Sequence, residues 1–296
     1  MSSYTNLIFF VEYVLPPTIL ILGLIGNTLG LIVLSHKDLK DIGPQDMYKY
    51  LLTTDTLYLL EIIVVNLQFD YNLNLATISN LSCKLWNYVY YTYATISCWL
   101  IVYISVERCV TLMRPSWRFT LRNRRNQLLW YIFVIGFCMI YYIPVGVYFE
   151  GTISSSNNQT SNLLCGFAND FSVNLISYMD LVLRVILPFV FMIISNLTLT
   201  FSLFKSRQRI VSNFLAEENQ TFYKEIKLSI SSISLNIIYI VTQLPVSITV
   251  FGSQFYSNFY YEWSAYLFFV SYGINAYIIF ATNSLFRSKL ANILKN

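Results

Sequence analysis

From Leu85 to Val106 the chain runs through twenty-two residues without an Asp, Glu, Lys, Arg or His, and the run stops at the adjacent pair Glu107-Arg108. At 1.5 Å per residue, a helix of that length spans a bilayer hydrocarbon core of roughly 30 Å. Such a core offers no water to backbone groups or charges, so the run must satisfy itself as a helix and the charge pair at its end needs a partner. Tyr13 to Ser35, Asn126 to Phe149, Leu228 to Tyr261 and Trp263 to Phe286 are also free of charge and long enough to cross. Tyr50 to Phe69 and Phe171 to Phe204 are apolar with a few charges inside, which makes seven segments. Only 11% of residues are charged and mean hydropathy is +0.54, far from the quarter charged of soluble domains. The sequence predicts an all-α membrane protein, a single seven-transmembrane-helix bundle over residues 1–296. Its helices are placed at about 8–35, 47–69, 83–112, 126–149, 173–204, 224–252 and 262–282. A short amphipathic eighth helix at 284–294 puts Phe286, Leu290, Ile293 and Leu294 on one face, with Arg287, Lys289 and Lys295 off it.

Orientation follows from the basic residues, which are retained on the cytoplasmic side of short loops. With the N-terminus outside, every Lys and Arg except Lys84 and Arg184 falls in the loops at 36–49, 108–125 and 205–227 or in the tail from 287. The net charge of +4 is therefore a topology signal and no nucleic-acid partner is expected. No basic n-region precedes the first apolar run, so that run is expected to be its own insertion signal rather than a cleaved peptide. Of the five cysteines, Cys98, Cys109 and Cys138 lie within or at the ends of helices, while Cys83 and Cys165 fall on the outer, oxidising side. A Cys83–Cys165 bridge is expected, the alternative being two free thiols. Asn158-Gln-Thr and Asn80-Leu-Ser are outer glycosylation sequons, Asn80 lying close to the membrane, whereas Asn196 and Asn219 should stay bare.

Several motifs stand in order along nearly the whole chain: Gly26-Asn27, Leu51 to Asp55, Cys83 followed 24 residues later by Glu107-Arg108-Cys109, Pro188, Pro245, Asn275 and Phe286-Arg287. In these the chain resembles a rhodopsin-like (class A) G-protein-coupled receptor. It loosely resembles invertebrate neuropeptide receptors of the FMRFamide and myosuppressin type through GINAYIIFATNSLFR and ILPFVFMIISN. The resemblance implies a plasma-membrane receptor for an extracellular ligand, with a heterotrimeric G protein and arrestin as inner partners and no enzymatic activity. It implies an ionic lock of Arg108 with Glu107 and with Glu225, twenty residues before Pro245, released when helix six moves outward. The bland alternative is an arginine that only anchors helix three at the headgroups. It also implies that Asp55, Ser97, Ser271 and Asn275 hold an allosteric sodium ion, the one cofactor considered, against the alternative of a polar network around a protonated Asp55.

The ligand is narrowed by exclusion. An opsin would need a lysine between Trp263 and Phe286, and there is none; an amine receptor would carry an aspartate at Tyr90. The ligand-binding candidates are Glu61, Tyr90, Asp180, Arg184, Gln243, Tyr266 and Phe269. Asp180 and Arg184 share a helical face and either neutralise each other or divide a ligand's charges between them. The acids Glu12, Asp70, Glu150, Asp170 and Glu262 outnumber the bases outside, which favours a cationic ligand such as an Arg-containing peptide. The chain departs from the family at Gln243, where helix six should carry a tryptophan, and in Asn275-Ala276-Tyr277-Ile278-Ile279, which lacks the usual proline and final tyrosine. Asn196 replaces a helix-five tyrosine, and Val134 a helix-four tryptophan that Trp130 could replace in packing. Gln243 could stand in for the missing switch by hydrogen bonding, the alternative being a divergent receptor with weak or absent G-protein coupling. Catalysis has no support, because the lone histidine, His36, sits in a solvated loop. The alternatives kept are a chemoreceptor for small environmental molecules on the same fold and a membrane transporter lined by Asp55, Glu61, Asp180 and Arg184.

Overall fold

Helix α1 (Leu15–Leu34) opens on Pro16 and Pro17, in the first turn, where a missing N–H costs nothing. The computed structural model describes residues 14–36, 45–71, 77–154, 162–212, 216–251 and 258–295, and within these ranges the side chains at 62–71, 115, 153–154, 162–164, 205–212, 216–225, 249–251, 258–262, 284–285 and 292–295 are left aside. Helix α2 is Gln45–Tyr71. Helix α3 (Asn80–Met113) starts where the Ser79 hydroxyl accepts the Ser82 N–H. It ends at Arg114, whose backbone has left the helical region (φ −135°, ψ 85°), as suits the residue before a proline, and a turn at Pro115–Trp117 leads into a short helix at Arg118–Arg122. Helix α4 (Arg124–Tyr148) is capped by Asn123 and interrupted at Tyr142, ahead of Pro144.

Between α4 and the next span lies a β-hairpin, β1 (Phe149–Ser154) antiparallel to β2 (Asn162–Phe167), with Gly151 opposite Cys165. The sequence reading placed only a loop there. The Cys83–Cys165 disulfide fastens β2 to the first turn of α3, with Cα atoms 5.6 Å apart. Asn80 Oδ1 accepts the Gly151 N–H at 3.0 Å, a second tie between α3 and the hairpin. Helix α5 starts at Asp170 with a reciprocal cap between Asn169 and Ser172 and has three parts: Asp170–Asp180, a π-helical turn Leu181–Ile186, and Leu187–Ser212. Helices α6 (Ala216–Phe251), α7 (Asn258–Thr282) and α8 (Ser284–Lys295) complete the chain.

Six helices among the described residues are long and apolar enough to cross a membrane; α2, with Asp46, Lys49, Asp55 and Glu61, completes the seven-helix bundle. Helix α3 is its axis, packed by α2, α4, α5 and α6 through buried Ile96, Leu100, Ile101, Ile104, Met192 and Leu235. Ile132, Phe133, Ile140, Leu197 and Phe201 face outward from α4 and α5, an apolar belt that suits lipid tails. Helix α8 buries Phe286, while Arg287 donates to the Phe280 and Ala281 carbonyls at the end of α7.

The close approach of α1 to α7 depends on small residues. A Cβ on Gly23 would lie 3.0 Å from Gly273 Cα and 2.6 Å from a Leu59 methyl, and one on Gly26 would meet the Tyr277 ring at 2.5 Å. The Gly26-Gly30 spacing thus serves packing inside this chain. Gly136, by contrast, has nothing within 4 Å of its would-be Cβ. Gly23→Val is expected to cost about 1–3 kcal/mol through overpacking. Gly136→Val should stay within about 0.5 kcal/mol. Thermal unfolding of the purified chain in detergent separates the two, and equal melting temperatures would refute the packing argument.

Candidate functional site

Pro188 shapes the first site. It carries no N–H, and its ring crowds the carbonyl four residues earlier, that of Arg184, so α5 widens into the π turn just before it. The carbonyls left without a helical donor take side-chain donors from neighbouring helices. Trp99 Nε1 donates to Leu183 O at 3.1 Å, and Tyr239 Oη donates to Arg184 O at 3.1 Å. Both α3 and α6 are therefore keyed to the turn that carries Arg184.

Arg184, 9% exposed, donates through Nη2 to Asp180 Oδ2, while Asp180 Oδ1 accepts from Tyr142 Oη at 3.0 Å. Tyr142 also bonds Thr95 on α3 at 2.8 Å. The guanidinium carbon lies 4.7 Å from the centroid of the Phe268 ring, a cation–π contact. A cavity of about 120 Å³ opens beside this pair, lined by Tyr90 and Tyr91 of α3, Asp180 and Arg184 of α5, Ser247 of α6 and Phe268 of α7, among others. Behind it Tyr58 meets Tyr272 at a tilt (centroids 4.2 Å), stacks on Phe269 and touches Tyr90.

Halfway down the bundle, Asp55 is fully buried and both its oxygens accept bonds, one from Ser97 Oγ and the other from Asn275 Nδ2 at 2.8 Å. Ser271 does not join them: it accepts Gln243 Nε2 at 3.0 Å and donates to the Phe268 carbonyl. Gln243 thus ties α6 to α7 at the level of the missing tryptophan.

At the end opposite the disulfide, Glu107 and Arg108 are 1% and 0% exposed. Glu107 Oε2 pairs with Arg108, and Oε1 accepts Arg122 Nε at 3.0 Å. Tyr103 and Gln127 hold the Leu121 carbonyl, so α3 and α4 grip the short helix that presents Arg122. One turn toward the middle, Ser105 Oγ bonds Asn236 Oδ1 at 2.8 Å and Ser232 at 3.1 Å, and Asn236 Nδ2 donates to Asn196 Oδ1 at 2.7 Å. This polar clasp joins α3, α5 and α6.

The family described as "7 transmembrane receptor (rhodopsin family)" matches the chain over residues 26–283. The chain belongs to this rhodopsin family of receptors. No individual curated protein matches it.

In this rhodopsin-family receptor the cavity gathers three of the seven ligand candidates, Tyr90, Asp180 and Arg184. Phe269 stands in the aromatic cluster behind them, Gln243 is turned to Ser271, and Tyr266 packs on the Tyr58–Phe268 cluster. Glu61, 4% exposed, is not among the lining residues, and its Oε2 has no partner among the described ones. Phe268 is the functional residue that sequence reasoning missed; it stands one position before the chosen Phe269, and only the rotation of α7 distinguishes them. Arg122 was missed too, since nothing local marks one loop arginine among six basic residues at 108–125. The side chain of Glu225 and the Asn158 sequon lie outside the described residues, whereas Asn80 is exposed at the start of α3. Trp130 packs at a tilt against Tyr103 (5.5 Å) while Val134 is buried in the core. Glu107→Gln leaves two arginines without their buried carboxylate and is expected to cost about 3–5 kcal/mol. In a double-mutant cycle by thermal unfolding, Glu107→Gln and Arg122→Gln should be non-additive; strict additivity would remove the second pair from the account.

Proposed function

We propose that the chain is a plasma-membrane receptor, N-terminus outside, which binds an extracellular ligand in the Arg184 cavity and activates a heterotrimeric G protein, with arrestin as a further partner. A peptide would seat one end or side chain there, since the volume is too small for more. The observation that carries this reading is that α6 reaches both sites: Ser247, beyond Pro245, lines the cavity, while Ser232 and Asn236 hold Ser105 near Arg108. A ligand that fills the cavity against Ser247 biases the inner clasp, and α6 swings outward as a two-state population shift. Glu225, where it reaches Arg108, would add to the restraint.

Family membership supports a receptor over a transporter. A second reading, a chemoreceptor for small environmental molecules, draws on the same volume, because cavities of this order accept a single aromatic ring. Asp55, the Ser97 hydroxyl and the Asn275 side chain form an oxygen-bearing group suited in kind to a hard sodium ion, which Ser271 would join only by leaving Gln243.

Two measurements test the proposal without a known ligand. Asn236→Leu removes the clasp, worth about 1 kcal/mol per hydrogen bond, and should raise basal G-protein dissociation on the order of tenfold in cells. Adding Arg108→Ala at matched surface expression should abolish that rise; an unchanged basal signal in Asn236→Leu would count against the clasp as a restraint. Replacing choline chloride by sodium chloride should raise the melting temperature of the wild type and leave Asp55→Asn unmoved. Equal responses of the two would remove sodium from the account.

A further inference from the structure

We infer that the group the cavity receives is a carboxylate carried by an aromatic or apolar body, held by the unpaired N–H groups of Arg184. The inference rests on the reading of this cavity as the ligand site. It follows from the donors and acceptors around it. Asp180 is committed on both oxygens, to Tyr142 and to Arg184. Arg184 is committed only through Nη2, and its Nε and Nη1, both buried, meet no acceptor among the described residues. A buried donor without a partner costs about 1–3 kcal/mol, more when charged, so what the site lacks is an acceptor and not a second cation.

The kind of acceptor follows from geometry. Phe268 covers one face of the guanidinium at 4.7 Å, so an anion approaches in the plane of the N–H groups. Nη1 alone carries two N–H groups, and a carboxylate offers them oxygens with several lone pairs, a full negative charge and no donor of its own. An amide would bring N–H groups to a cavity whose one lining carboxylate is already shared by Tyr142 and Arg184, and would bring no negative charge to the guanidinium. Tyr90, Tyr91 and Phe268 supply aromatic faces for the apolar body. Glu150 and Asp170, the outer acids whose side chains are described, do not line this cavity, and its own charged residues, Asp180 and Arg184, balance one another.

A carboxylate of this kind is either a peptide C-terminus or a small organic acid. Thermal unfolding of the purified receptor in nanodiscs, with phenylacetate and with N-acetyl-phenylalanine, each beside its amide, distinguishes them. Both acids should raise the melting temperature saturably, with apparent affinities on the order of tenfold or more above their amides. The larger shift names the source. Asp180→Asn with Arg184→Gln, which removes both charges and keeps an amide pair in place of the ion pair, should abolish the difference between acid and amide. Amides as effective as acids, no shift with either acid, or a shift that survives in the double variant would overturn the inference. The readout involves no G protein, so a chain that binds the acids but never couples would defeat the proposed function alone.

Discussion

A polar group inside a bilayer has no water to fall back on, and the interior of this receptor is arranged around that constraint. Pro188 shows how one residue propagates it. By withholding an N–H it opens a π turn, the carbonyls at Leu183 and Arg184 recruit Trp99 and Tyr239, and the turn comes to rest with Arg184 beside a cavity. The ion pair with Asp180, held in turn by Tyr142 and Thr95, then fixes α5 to α4 and α3. A single missing donor has positioned three helices and one charge.

Helix α3 carries the same logic along its length. Cys83 ties its first turn to the hairpin, Tyr90 faces the cavity, Ser97 meets Asp55, Ser105 meets Asn236, and Glu107 receives two arginines near its end. Apart from Arg108, which belongs to α3 itself, the partners stand on different helices or loops, so the neighbours of α3 have separable attachments. Helix α6 is the neighbour held at three levels, by Ser105, by Arg184 O and by Ser271. The family's missing helix-six tryptophan and helix-five tyrosine are thereby replaced with amide hydrogen bonds, from Gln243 to Ser271 and from Asn236 to Asn196.

Much of the bundle was legible because charge-free length is a one-dimensional property: the runs ending at Glu107 and starting at Asn126 or Trp263 need no tertiary information. The Cys83–Cys165 bridge was legible from compartment, and the grouping of Asp55 with Ser97 and Asn275 from the family motifs. What escaped depends on rotation and on backbone irregularity. A helix drawn at 3.6 residues per turn cannot show that Phe268 rather than Phe269 faces the guanidinium, nor that Ser271 turns to Gln243 and away from Asp55. The hairpin at 149–167 was hidden because its strands are short and hold no clean alternation, and Arg122 because its partner is fifteen residues away across a turn.

The central claim is that the clasp around Ser105 and Asn236 restrains α6 against α3. The most direct measurement is the distance distribution between spin labels at Phe119 on the short helix and Ile230 on α6, both exposed, in nanodiscs, for the wild type and for Asn236→Leu. The account predicts one short distance in the wild type and an added longer population in the variant. Identical distributions would contradict it.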